Sequence, residues 1–147
     1  MTAETTVVQK YLTPTFDLSG SSWKKSTSTL VTGTYKYECY GGGDEINNLD
    51  EAMYVTIPAG INSIQFDCYS DTEGPDYMYI EDNTYYKGYA LGISGENHHT
   101  SVVISFKKYF GEEWDKTQPI DFSIRYTKDS SVAEGTDKVY FGLTLLS

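Results

Sequence analysis

The side chains able to do chemistry in this 147-residue chain are mainly carboxylates in turns. They gather as Asp44, Glu45, Asp50 and Glu51, as Asp71, Glu73 and Asp76, and as Glu134 and Asp137. Oxygen-rich loops suit calcium, which takes about six to eight oxygen ligands at flexible geometry, but none of the three groups has the EF-hand spacing. Turn carboxylates in an acidic protein are ordinarily solvated, so no metal and no cofactor is expected. Adjacent His98 and His99 invite acid–base or metal chemistry. Neighbours in an extended chain point to opposite faces, however, and the pair reads as solvated loop histidines. Serine is plentiful, yet no Gly-x-Ser-x-Gly elbow, phosphate loop or dinucleotide fingerprint appears. Nothing selects a facing pair of carboxylates of the kind a glycosidase needs. The expectation is a protein that is not an enzyme.

Tyrosine carries the remaining signal, with 14 positions. Tyr77 and Tyr79 share one face of a strand, Tyr85, Tyr86 and Tyr89 follow in a polar hairpin-like stretch, and Trp23 and Trp114 stand apart. Rings with a polar handle bury large area at little entropic cost, which suits protein interfaces and equally suits stacking on sugar rings. The alternative is that most of them pair across strands over the faces of the fold. As interface or glycan-stacking candidates we take Trp23, Tyr85, Tyr86, Tyr89 and Trp114.

The elements that would position these residues show a period of two. Ile64, Phe66 and Cys68 alternate with Gln65 and Asp67; Ile120, Phe122, Ile124 and Tyr126 alternate with Asp121, Ser123 and Arg125; Val139, Phe141, Leu143 and Leu145 share one side of the last run. Weaker strand candidates are residues 34–40, 52–57, 77–80, 85–91 and 102–106, separated by Gly- and Pro-bearing turns that include Gly95-Glu96-Asn97. No stretch of helical length is amphipathic, although residues 112–115 fit one short turn. About eight short strands predict an all-β protein, an antiparallel two-sheet sandwich of jelly-roll or immunoglobulin-like type. Residues 1–30, rich in Ser, Thr and Lys, read as an N-terminal arm or edge segment, and residues 31–147 as the sandwich domain.

Cys39 and Cys68 have neither zinc nor redox spacing, and although neighbouring strands would permit a disulfide, two buried thiols are the simpler expectation. With 21 acidic against 11 basic residues, the net charge is -10. Such a surface disfavours nucleic acid and anionic membranes as direct partners. No apolar run approaches the roughly 20 residues that span a bilayer. The start, Met1 to Thr6, lacks the pattern of a signal peptide, so the expectation is a cytosolic product or a chain whose leader has been removed.

Two motifs carry a resemblance. One is the strand–acidic turn–strand run from Phe66 to Ile80, with Asp71, Glu73, Gly74, Pro75 and the Asp76-Tyr77 start of the second strand. The other runs from Tyr126 through Lys128-Asp129-Ser130 and Gly135-Thr136-Asp137 to the closing strand with Tyr140 and Phe141. Over this half of the chain the sequence resembles a family of β-sandwich domains found in virion structural proteins of tailed bacteriophages infecting gut bacteria. The resemblance implies a non-enzymatic auxiliary or decoration capsid protein, made in the host cytoplasm and carried on the virion. Its partners would be the major capsid protein or other virion proteins, with host surface glycans and self-association as further expectations. The alternative from the residues themselves is a carbohydrate-binding module of a secreted, extracellular bacterial protein.

Overall fold

The computed structural model describes residues 12–43, 48–129 and 135–146. Asp44, Glu45, Glu134 and the first part of the expected arm lie outside them. The alternating segments become ten strands: β1 (Thr15–Asp17), β2 (Trp23–Lys25), β3 (Tyr35–Tyr40), β4 (Asp50–Ile57), β5 (Ser63–Asp71), β6 (Tyr77–Asp82), β7 (Tyr89–Ser94), β8 (Glu96–Ser105), β9 (Ile120–Thr127) and β10 (Lys138–Leu146). Among the described residues a short helix, α1 (Phe106–Phe110), follows β8, and a 3-10 turn continues it over Gly111–Glu113.

The strands form two five-stranded sheets, β1-β4-β9-β6-β7 and β2-β3-β10-β5-β8, with antiparallel neighbours throughout. Consecutive long strands from β3 onward mostly switch sheets. Without the two short edge strands this interleaving is the jelly-roll order, which selects that alternative over the immunoglobulin-like one. The alternating apolar residues meet between the sheets: Val55, Ile57, Ile80, Phe122 and Ile124 of the first face Ile64, Phe66, Phe141 and Leu143 of the second. Each such side chain, fully buried, contributes about 1.5–3 kcal/mol relative to exposure.

The two-sheet sandwich stands, with ten strands among the described residues where about eight were expected, because the polar segment before residue 31 supplies β1 and β2, too short for a two-residue period to show. Other expectations need correcting. The stretch 85–91 is strand only from Tyr89. Its first part is a turn organised by Asp82, whose buried carboxylate accepts the backbone N–H groups of Thr84, Tyr85 and Lys87 at 2.9, 3.1 and 3.0 Å. Residues 96 and 97 open β8 instead of forming a turn, so His98 and His99 lie in a strand rather than a loop. His98 is held there by Tyr69, edge-on at 5.5 Å, and by the buried Asp67 carboxylate, 3.2 Å from its Nε2. Lys128 of the second motif, just after β9, is buried rather than a solvated loop lysine: its ammonium lies 2.8 Å from Asp137 and donates to the Gly43 carbonyl at 2.7 Å.

Candidate functional site

In β4, β6 and β9 the residues that alternate with the core point to solvent on one side of the first sheet. Register places them in rows. Tyr54, Ser123, Glu81 and Tyr89 are opposite one another across β4, β9, β6 and β7; the next row is Ala52, Arg125, Tyr79 and Gly92; the third is Asp50, Thr127, Tyr77 and Ser94. The outcome is an aromatic and polar face built on four paired strands rather than on loops.

Tyr77, Tyr79 and Tyr89 stack in sequence, with ring centroids 5.5 and 4.6 Å apart and planes within 14° and 23° of parallel. Gly92 makes room for the central ring: a Cβ there would lie 3.2 Å from Cδ1 of Tyr79. Burial pushes the Tyr79 hydroxyl above the ordinary phenol range, and the flanking Tyr89, Tyr77 and Glu81 push the same way. It therefore stays a neutral donor and acceptor. Tyr89, at the end of the stack, is 63% exposed, and Tyr54 stands exposed on β4, three strands away.

Arg125 lies between Tyr79 and Ala52 in its row. Its Nη1 is 3.0 Å from both oxygens of Asp50, and its Nε is 3.4 Å from Oε1 of Glu81. The guanidinium is thereby fixed, and its charge is offset by two carboxylates. Asn83 donates to Ser123 beside them, covering that hydroxyl. Such a face offers flat apolar surface flanked by groups able to donate to and accept from hydroxyls.

Of the residues singled out from sequence, Tyr86 and Tyr89 are exposed near this face, Tyr86 at the β6–β7 turn with a left-handed φ of 57° and 80% exposure. The other three are not on it. Trp23 is 3% exposed in the core, its Nε1 donating to the Glu51 carbonyl, because β2 pairs with β3 and turns the indole inward. Tyr85 is half-buried on Phe110 at 4.5 Å, and its hydroxyl accepts the Asp115 N–H at 2.9 Å. Trp114 packs 6.1 Å from Phe106. Tyr85 and Trp114 close the end of the core around α1. Sequence reading did not select Tyr54, Glu81 or Arg125, and it placed Asp50 only among the turn carboxylates. For Tyr54, Glu81 and Arg125 the signal was present in the alternation, since each is the outward partner of buried neighbours.

No protein-family model matches the chain, and no curated protein matches it. Among solved structures it is similar to part of the secreted serine protease VesC from Vibrio cholerae, at 8% identity and a TM-score of 0.51. The match covers 84% of this chain and 28% of that one, and the likeness is one of fold. Lower-scoring similarities are to TmCBM61 in complex with beta-1,4-galactotriose, at 10% identity over 90% of this chain and 87% of that one, with a TM-score of 0.42. A family 11 carbohydrate-binding module from Clostridium thermocellum, in complex with a beta-1,3-1,4-mixed-linked tetrasaccharide, scores 0.38 at 14% identity over 92% and 88% of the two chains. None of these is a virion protein, and that expectation rests on the sequence resemblance alone. Among the described residues no helix is long and apolar enough to cross a membrane.

Proposed function

We propose that this chain is a non-catalytic glycan-binding domain that holds a neutral polysaccharide on the solvent face of β4, β9, β6 and β7. The observation that carries the reading is the Tyr77–Tyr79–Tyr89 stack beside an arginine clamped by two carboxylates. Tyrosine rings bury the apolar C–H face of a pyranose, while Arg125, Asp50 and Glu81 present fixed donors and acceptors to its hydroxyls. The side chains sit on paired strands, so little ordering is needed on binding. Net charge of -10 and the offset of Arg125 work against uronic acids and sulfated chains, which leaves neutral glycans as the class. The carrier of the domain is part of the same proposal: an extracellular bacterial protein, or a particle on which copy number multiplies a weak affinity.

The test is titration calorimetry against neutral glucans, galactans, xylans and mannans, with pull-down on insoluble forms. Tryptophan fluorescence is the wrong readout, since Trp23 is buried and Trp114 packs by Phe106. At least one class is expected to bind, and Tyr89→Ala to weaken it about tenfold, or about 1.4 kcal/mol, at unchanged melting temperature. Absence of binding across the panel overturns the reading, as does full affinity in Tyr89→Ala. Concentration-dependent dimerisation in light scattering that Tyr89→Ala abolishes would assign the face to a protein partner instead.

A further inference from the structure

At one end of the same sheet, carboxylates from two distant parts of the chain converge. Ligand oxygens of Glu73, Asp76 and Asp129 lie within 4.8 Å of one another. Glu73 and Asp76 belong to the turn between β5 and β6, closed by the Asp76 N–H donating to the Glu73 carbonyl at 3.0 Å. Asp129 follows β9, and its backbone N–H donates to Oδ1 of Asp76 at 3.1 Å. Contrary to the solvated turn residue expected from sequence, Asp76 is 0% exposed.

A second, independent observation concerns its other oxygen. Oδ2 of Asp76 is buried and has no hydrogen-bond partner. A buried carboxylate oxygen left in this state costs free energy that natural folds seldom leave uncompensated. Lys128 makes no hydrogen bond to this Asp76 oxygen, its ammonium lying on Asp137 at 2.8 Å and on the Gly43 carbonyl at 2.7 Å. Burial pushes the Asp76 carboxyl up; the Asp129 N–H pulls it down, the charges of Glu73 and Asp129 push it up again, and the charge of Lys128 lowers it in part. Three carboxylates this close, one of them with a buried oxygen that no donor reaches, make an arrangement that a cation would satisfy.

We propose that Glu73, Asp76 and Asp129 bind a calcium ion that ties the β5–β6 turn to the end of β9. The donors are all oxygen, with no imidazole or thiolate among them, which selects a hard cation over zinc or copper. Three carboxylates, some bidentate, reach part of the coordination calcium takes, and water completes it; magnesium, which demands tight octahedral geometry, fits such a set less well. The ion would sit one residue before Tyr77 and two after Thr127, its partner across the sheet. It would therefore brace the edge of the tyrosine face without being part of it.

The experiment is calorimetry and thermal melting on chelator-treated protein, titrated with calcium and then with magnesium. Wild type is expected to release or take up heat with calcium, and to melt about 5–10 °C higher at a calcium concentration 100-fold above Kd. Asp76→Asn keeps an oxygen for the Asp129 N–H but removes the charge. It should melt at or above the wild-type temperature without calcium and gain nothing when calcium is added. Tyrosine-sensitised terbium luminescence, displaced by calcium in wild type and lost in Asp129→Asn, gives a readout free of folding effects. No heat and no shift in wild type would overturn the proposal, as would a calcium response retained in both variants. Either result leaves glycan binding by Tyr89 as a separate question.

Discussion

Glu38 shows at the residue scale how neighbours set a charge. It lies on the solvent side of β3, opposite Lys24 of β2, and only 13% of its side chain is exposed. Burial pushes its carboxyl up, yet the Ser26 hydroxyl at 2.7 Å and the charges of Lys138 and Lys24 outweigh that and hold it below the ordinary range. A carboxyl lowered in the folded state contributes stability above its unfolded pKa and loses it as pH falls through the folded one. Glu38→Gln should therefore be less stable than wild type at pH 7 by about 0.5–1 kcal/mol, the range of a partly screened pair. The gap should close as pH falls from about 5 to below 4, measured by urea unfolding across that window. A gap that persists unchanged at pH 3 would mean that packing of the side chain, not its charge, is what stabilises.

At the scale of the element, two glycines in strands separate folding from binding. Gly142 lies in β10, where the backbone of Thr32 presses on it so closely that a Cβ would overlap the Thr32 carbonyl oxygen. The β10 backbone cannot move without disturbing the ladder that joins it to β3 and β5, and Thr32 is held by its own N–H donating to the Asp67 carboxylate at 2.7 Å. Gly142→Ala should cost more than about 3 kcal/mol and lower the melting temperature accordingly. In Gly92→Ala the new methyl meets only the flexible ring of Tyr79, in a strand where alanine is intrinsically preferred to glycine. Its stability should change by less than about 1 kcal/mol while the tilted ring weakens glycan binding several-fold, as calorimetry would show. These roles were not legible in sequence, because a strand glycine looks the same whether it faces a ring or another backbone. The long strands were legible, since Ile64-Phe66-Cys68 and Ile120-Phe122-Ile124 each carry a strict alternation with a buried face. Three-residue β1 and β2 were not, and β8 was masked by Gly95 and by a bulge near Ser101, whose φ is 51°. Aromatic positions misled where the indole of Trp23 fills the core, while Arg125 passed unnoticed because its partners Asp50 and Glu81 lie on other strands.

Across the whole molecule, the sheet order decides the fate of the thiols. Cys39 of β3 lies opposite Val139 of β10, and Cys68 of β5 lies opposite Phe141 of the same strand. One full strand thus stands between the cysteines, which puts their Cα atoms on the order of 10 Å apart, beyond the reach of a disulfide. Both thiols are free and buried. Burial, with Glu51 adding to it for Cys39 and Asp67 for Cys68, pushes both well above the ordinary thiol range, so neither forms a nucleophilic thiolate. The sandwich is accordingly held by the interleaved core and by buried polar ties such as Lys128–Asp137 and Tyr126–Asp137, without a covalent link between these strands. Reductant should leave the melting temperature unchanged. An aromatic disulfide reagent should label neither cysteine in the native protein and both after unfolding in guanidinium. Labelling of one thiol alone under native conditions, faster than global unfolding allows, would locate a local opening of β3 or β5, whereas a melting temperature that falls with reductant would contradict the strand order itself.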